Sequence, residues 1–145
     1  MALNLLKLCV GVDTIEDLQA SIKFRVEQHK LRGLGEISFH ITRMVPKRAD
    51  ELLDGGSLYW VIRGTIQARQ RIDDIQPFVD PSGVSRCRIV LEPRLFLTEW
   101  QPRRAFQGWR YLKQQDAPSD LSEGGAGILS LPPELRRELA DLGLL

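Results

Sequence analysis

The sequence predicts a small α+β protein, built on a mixed, mainly antiparallel sheet that is strongly bent or closed into a partly open β-barrel and flanked by two or three helices. Three observations carry this. Residues 58–72, "LYWVIRGTIQARQRI", and 84–92, "VSRCRIVLE", alternate apolar and polar side chains with the period of a half-buried strand. The turn signal "DPSG" (80–83) stands between them, which predicts a hairpin. One stretch, Ile15, Leu18, Ile22 and Val26, instead has helical spacing.

In chain order, "LNLLKLCV" (3–10) is nearly all apolar and reads as a strand buried on both faces. Thr14 is placed to cap a helix over residues 15–31, with Glu16 and Asp17 in its first turn, where the helix dipole favours negative charge. In "ISFHITR" (37–43), Ile37, Phe39 and Ile41 are expected inward, with Ser38, His40 and Thr42 outward. Pro46 suits the start of a short helix, "PKRADELLD", which Gly55 and Gly56 end.

The strand that follows would span about 50 Å if uninterrupted, too long for so small a domain, so a bend or bulge is expected at Gly64. "RLFLTEW" (94–100) reads as a further strand, and "QPRRAFQGWRYL" (101–112) as irregular or a last strand with a glycine kink. This gives one α+β domain over 1–112, a polar loop or linker over 113–130 and a C-terminal helix over 131–145.

At 145 residues with net charge +1, the chain has no global field that would draw it to nucleic acid or membrane. Its basic residues are skewed, however, with 15 Arg against 5 Lys. Residues 40–112 hold 12 basic and 8 acidic side chains, a local excess of +4. Arginine suits bidentate recognition of phosphate or carboxylate. The apolar N-terminal run is too short to cross a bilayer and lacks a positive flank, so a cytoplasmic protein with free thiols at Cys9 and Cys87 is expected.

The common catalytic patterns are missing. His29 and His40 have no partner at metal-ligand spacing, and the two cysteines lie 78 positions apart, so no metal and no cofactor is expected. There is no phosphate-cradling loop between a strand and a helix, and no nucleophile elbow. Asp73 and Asp74 would point to opposite faces of a strand.

What remains is arginine beside aromatics. "WQPRRAFQGWRYL" (100–112) interleaves Trp100, Phe106, Trp109 and Tyr111 with Arg103, Arg104 and Arg110, the pairing that base stacking plus phosphate contact requires. If the hairpin pairs residues 79 and 84, Arg71 falls opposite Glu92, while Arg63, Arg69 and Arg86 gain no acid. The candidate surface for RNA or a nucleotide is therefore Arg43, Tyr59, Arg63, Arg69, Arg86, Trp109, Arg110 and Tyr111.

The runs "TRMVPKRADELLDGGSLYWVIRGTIQARQRI" and "RRAFQGWRYL" resemble a family of small bacterial proteins classed as a domain of unknown function, over about residues 2–118. The layout around "ELLDGG" (51–56), a short helix followed by a strand with an internal glycine and a long hairpin, also looks like the PUA-like superfold that includes ASCH and EVE domains. That resemblance implies binding of RNA or modified nucleobases. Alternatively, it implies an ASCH-like amidohydrolase on modified nucleosides, with Lys47 central and Thr42 and Glu51 beside it. A third expectation is an interaction protein that docks through its C-terminal helix.

Overall fold

In the computed structural model, residues 3–9, 11–33, 35, 38–104, 106 and 108–121 are described. Among these residues seven strands form one sheet: β1 (Leu3–Leu8), β2 (Ser38–Thr42), β3 (Ser57–Ile62), β4 (Thr65–Val79), β5 (Ser85–Leu91), β6 (Phe96–Pro102) and β7 (Trp109–Lys113). Helix α1 (Ile15–Leu31) follows β1, and α2 (Ala49–Leu53) lies between β2 and β3. The strand order is β2-β5-β4-β3-β1-β7, with β6 also on β4, so the sheet stays open at β2 and β7 rather than closing into a barrel. Only the β1–β3 pairing is parallel among the described strands. A parallel pair needs a crossover, and the chain supplies it through α1, β2 and α2.

The helix bounds follow the expected cap. The Thr14 side chain accepts a hydrogen bond from the Asp17 backbone N–H at 3.2 Å. β1 is buried on both faces: Leu3 and Leu5 pack with Ile15, Leu18, Ile22 and Trp60, whereas Leu6 packs with Tyr59, Val61, Ile66 and Leu112. Gly56 is required where α2 meets β1, because a Cβ there would run into the carbonyl oxygens of Leu3 and Leu52.

Residues 58–72 are two strands rather than one. Arg63 and Gly64, with φ of +50° and +78°, form a two-residue turn between β3 and β4, and Ile62 pairs with Thr65. The bulge falls at Gln67 instead: Val61 pairs with Ile66 and Trp60 with Ala68, leaving Gln67 as the extra residue. Gln67 turns inward, and its amide donates to the Ile62 carbonyl at 3.2 Å. The alternation predicts one apolar face at the even positions of 58–72, and Leu58, Trp60, Ile62, Ala68 and Ile72 do share a core cluster, but Ile66 joins the opposite cluster with Tyr59 and Val61. β3 is consequently buried on both sides.

A 15-residue strand does occur, as β4, and it fits because it bends. Bulges at Gln67 and Asp73 divide it: its first half pairs with β3 and β6, its second with β5. The hairpin register is one residue away from expectation, with Val79 opposite Ser85. The extra residue at Asp73 restores the expected register beyond it. Glu92 N–H then donates to the Arg71 carbonyl at 2.9 Å, but no ion pair joins their side chains among the described residues.

β2 faces opposite to the alternation reading. Ser38 and Thr42 are buried and Ile41 is exposed, while Ile37 lies outside the described residues. Pairing with β5 decides this: Ser38, His40 and Thr42 stand opposite Leu91, Ile89 and Cys87, the core face of that strand. The polar tail also begins as structure. Lys113 ends β7, Gln114–Asp116 form a 3-10 turn, and Asp120 bridges to Thr98. The expected C-terminal helix over 131–145 lies outside the described residues.

Candidate functional site

The candidate arginines divide by what they touch. Arg69 makes a bidentate pair with Asp120, at 2.8 Å from Nε and 2.7 Å from Nη2. It also donates to Ser57 Oγ at 2.8 Å and lies over the Phe96 ring. This hydrogen bonding holds the Asp120 carboxyl below the usual carboxylate range. Arg86 pairs with Asp80, whose carboxylate also accepts from the Val84 and Ser82 backbone N–H groups across the β4–β5 turn. Those bonds, the Arg86 one foremost, lower the Asp80 pKa. Arg63, in the turn, stands 4.0 Å from Asp13. The expected patch of Arg63, Arg69 and Arg86 without acids therefore does not form: each has a carboxylate beside it.

Tyr59 is buried, with its phenol pKa raised by that burial, and it is not a stacking surface. Trp109 is buried as well and donates from Nε1 to the Met44 carbonyl at 3.3 Å. Arg43 is exposed just past β2. Lys47 is exposed too, and the two side chains expected beside it are hydrogen-bonded to other groups. Thr42 Oγ1 donates to the Met44 carbonyl at 3.0 Å, and Glu51 is taken by Arg48 at 2.9 Å. His40, expected on an exposed strand face, packs edge-on against Trp60 inside the fold.

Arg110 and Tyr111 do come together with others, at the β7 edge. There a cleft of about 660 Å³ runs between β7, the end of β6 and the residues before α2. Among the described residues its cations are Arg48, Arg103, Arg104, Arg110 and Lys113, and its lining holds one carboxylate, Asp116. The rings are Phe106, with the Arg110 guanidinium 5.4 Å from its centroid, and Tyr111, with Arg48 at 5.5 Å. Tyr111 also meets Trp109 edge-on, and its hydroxyl accepts the Arg48 backbone N–H at 3.2 Å.

Within the cleft, Arg48 is matched by Glu51. Arg103 donates to Gln101 Oε1 at 2.6 Å, but its Nε is buried with no hydrogen-bond partner among the described residues. No carboxylate of the described residues lies within ion-pair distance of Arg104 or Lys113. The run "RRAFQGWRYL" thus points to this edge. Lys113, the next residue after that run, ends the same strand, whereas Arg48 escaped the sequence reading because it arrives from another segment, ahead of α2. Phosphates or carboxylates fit such a lining, since every side-chain nitrogen offered is a donor with a positive charge nearby.

Together these features define a small α+β protein with an open, bent sheet and a basic, aromatic-lined cleft along one edge strand. The chain belongs to the family described as protein of unknown function (DUF1489), whose model matches residues 5–145. The family therefore takes in the C-terminal segment, beyond the expected limit near 118. No curated protein and no solved structure matches the chain, and the PUA-like likeness gains no support from that quarter. Among the described residues no helix is long and apolar enough to cross a membrane, and no group of His, Cys, Asp and Glu could hold a metal ion.

Proposed function

We propose that this protein binds single-stranded RNA or a nucleotide in the β7-edge cleft. Arg104, Arg110 and Lys113 would take the phosphates, while Phe106 and Tyr111 offer ring faces to a base. One observation carries the reading: cations and rings converge on a cleft to which the described residues contribute a single carboxylate, whereas Arg63, Arg69 and Arg86 each have an acid beside them. An open groove of this kind suits a flexible strand or its monomer, because stacking and phosphate contact tolerate many sequences.

The test is fluorescence anisotropy with a labelled mixed-sequence RNA and a labelled mononucleotide across a salt series. Binding should weaken as salt rises, and Arg104→Ala plus Arg110→Ala should abolish it or cut the salt slope for RNA by about 1.4, two contacts at about 0.7 each. Failure of both probes to bind at low salt, or undiminished binding by the double variant, overturns the reading. A response to the mononucleotide equal to that for RNA would make the monomer the ligand.

A further inference from the structure

A second basic cluster lies away from this cleft, beneath α1. Lys7 of β1 and Cys9 just past it, Ser21 and Arg25 one turn apart on α1, His40 of β2 and Trp60 of β3 surround a cavity of about 140 Å³. The topology brings them together: Lys7 is the register partner of Trp60 in the parallel β1–β3 pair, and α1 packs back over this end of the sheet. The remaining wall is apolar, from Leu8, Val12, Leu18 and Ile22. It shares no lining residue with the β7-edge cleft.

The charged groups here are the cations Lys7 and Arg25, and no carboxylate of the described residues balances them. Arg25 Nη1 lies 2.5 Å from His40 Nε2 and 3.0 Å from Nδ1, and because a guanidinium only donates, one ring nitrogen accepts and the imidazole is neutral. Burial holds the ring neutral down to a pKa of about 3, with Arg25 and then Lys7 adding to the effect. Burial also lowers the Lys7 pKa; Cys9 opposes that shift and Arg25 adds to it. The charges acting on Lys7, Cys9 and His40 are their own and that of Arg25, with no carboxylate of the described residues contributing. Two cations drawn together in a half-buried pocket repel and lose hydration, an arrangement that an anion between them would stabilise.

We infer that this cavity receives the oxyanion group of a small molecule, a phosphate or a carboxylate, held between Lys7 and Arg25 with the Ser21 hydroxyl as a further donor. The site binds rather than reacts. Burial pushes the Cys9 thiol up to about 11, so it stays protonated at neutral pH and is a poor nucleophile. The small volume admits the charged head group with little of the molecule behind it, and Trp60 and Ile22 close the apolar side.

The experiment compares thermal unfolding of the full chain at neutral pH in potassium phosphate, potassium acetate and potassium chloride of matched ionic strength. Phosphate or acetate should raise Tm above chloride, and the anion with the larger rise identifies the head group. Lys7→Met and Arg25→Gln should each lose that rise. Arg104→Ala plus Arg110→Ala should keep it, which separates this cavity from the nucleotide cleft. With two histidines in the chain, imidazole ¹⁵N shifts give a second readout on the unmutated protein. The His40 nitrogens, assigned with His40→Gln, should move on adding the anion while those of His29 stay. No rise with either anion, a rise that survives both cavity variants, a rise lost in the cleft variant, or an unmoved His40 signal overturns the inference.

Discussion

The basic side chains of this protein fall into two groups with opposite surroundings. Along β4 and β5, Arg69 and Arg86 are enclosed by acids, Asp120 and Asp80, in short hydrogen-bonded pairs. At the β7 edge and beneath α1, Arg104, Lys113, Lys7 and Arg25 share clefts with no carboxylate of the described residues in ion-pair reach. The first group spends its charge on holding the chain together. The second keeps its charge available, at a cost in repulsion and desolvation that folding alone does not explain. Placement on an alternating strand does not tell the two groups apart; the neighbouring segment does.

The comparison can be broken by stability measurements, taken here from the largest expected effect to the smallest. The cavity beneath α1 should make the fold acid-sensitive. The folded His40 ring is neutral down to about pH 3, whereas the unfolded ring titrates near 6.5. Between those values the unfolded chain binds the extra proton. Stability present above pH 6.5 is therefore lost as pH falls, by about 1.4 kcal/mol per unit. Denaturant unfolding in chloride between pH 7 and 5 should show this slope (conditions chosen to stay above the range where carboxylates titrate), and His40→Gln should flatten it.

In the matched group, Arg69→Ala should cost about 1–2 kcal/mol, because it leaves Asp120 and Ser57 without their donor and uncovers Phe96. RNA anisotropy should not change in that variant; a loss of RNA affinity at unchanged stability would move Arg69 into the binding group. The lowered Asp120 and Asp80 pKa values give the carboxylate counterpart: their contribution is full above the ordinary carboxylate range and is lost as pH falls through the lowered folded values.

Arg63→Asn should raise stability by about 0.5–1 kcal/mol, since a left-handed φ of +50° suits Asn before Gly64 far better than Arg. Chemical denaturation checks it, and an affinity loss for RNA would show that the turn arginine is kept for binding. Smallest of all, Arg104→Ala plus Arg110→Ala should shift stability by less than about 0.5 kcal/mol, as exposed positions do, while removing RNA binding.

Much of the fold was legible because local chemistry decided it. The Thr14 cap and the glycines after α2 set element ends within a few residues of their own position. The candidate site was legible only in part. "RRAFQGWRYL" announced a basic, aromatic edge that continues into Lys113, but Arg48 joined it only through folding. The Asp80–Arg86 pair had a signal, as residues six apart across a hairpin turn meet at its mouth. Asp120 had none, lying 51 positions from Arg69 in a stretch that reads as linker.

By itself, then, the sequence determined the α+β class, helix α1, the doubly buried β1 and the alternating face of β5. Tertiary structure decided which way β2 faces, because an edge strand of mixed polarity takes its orientation from its partner, and β5 presents Cys87, Ile89 and Leu91. It also turned "LYWVIRGTIQARQRI" into a hairpin with its bulge at Gln67, where burial on both sides of β3 outweighed simple alternation. Above all it decided which cations are matched, since ion pairing is a property of distance in space and the acids come from Asp80, Asp120 and Asp13 in three separate segments.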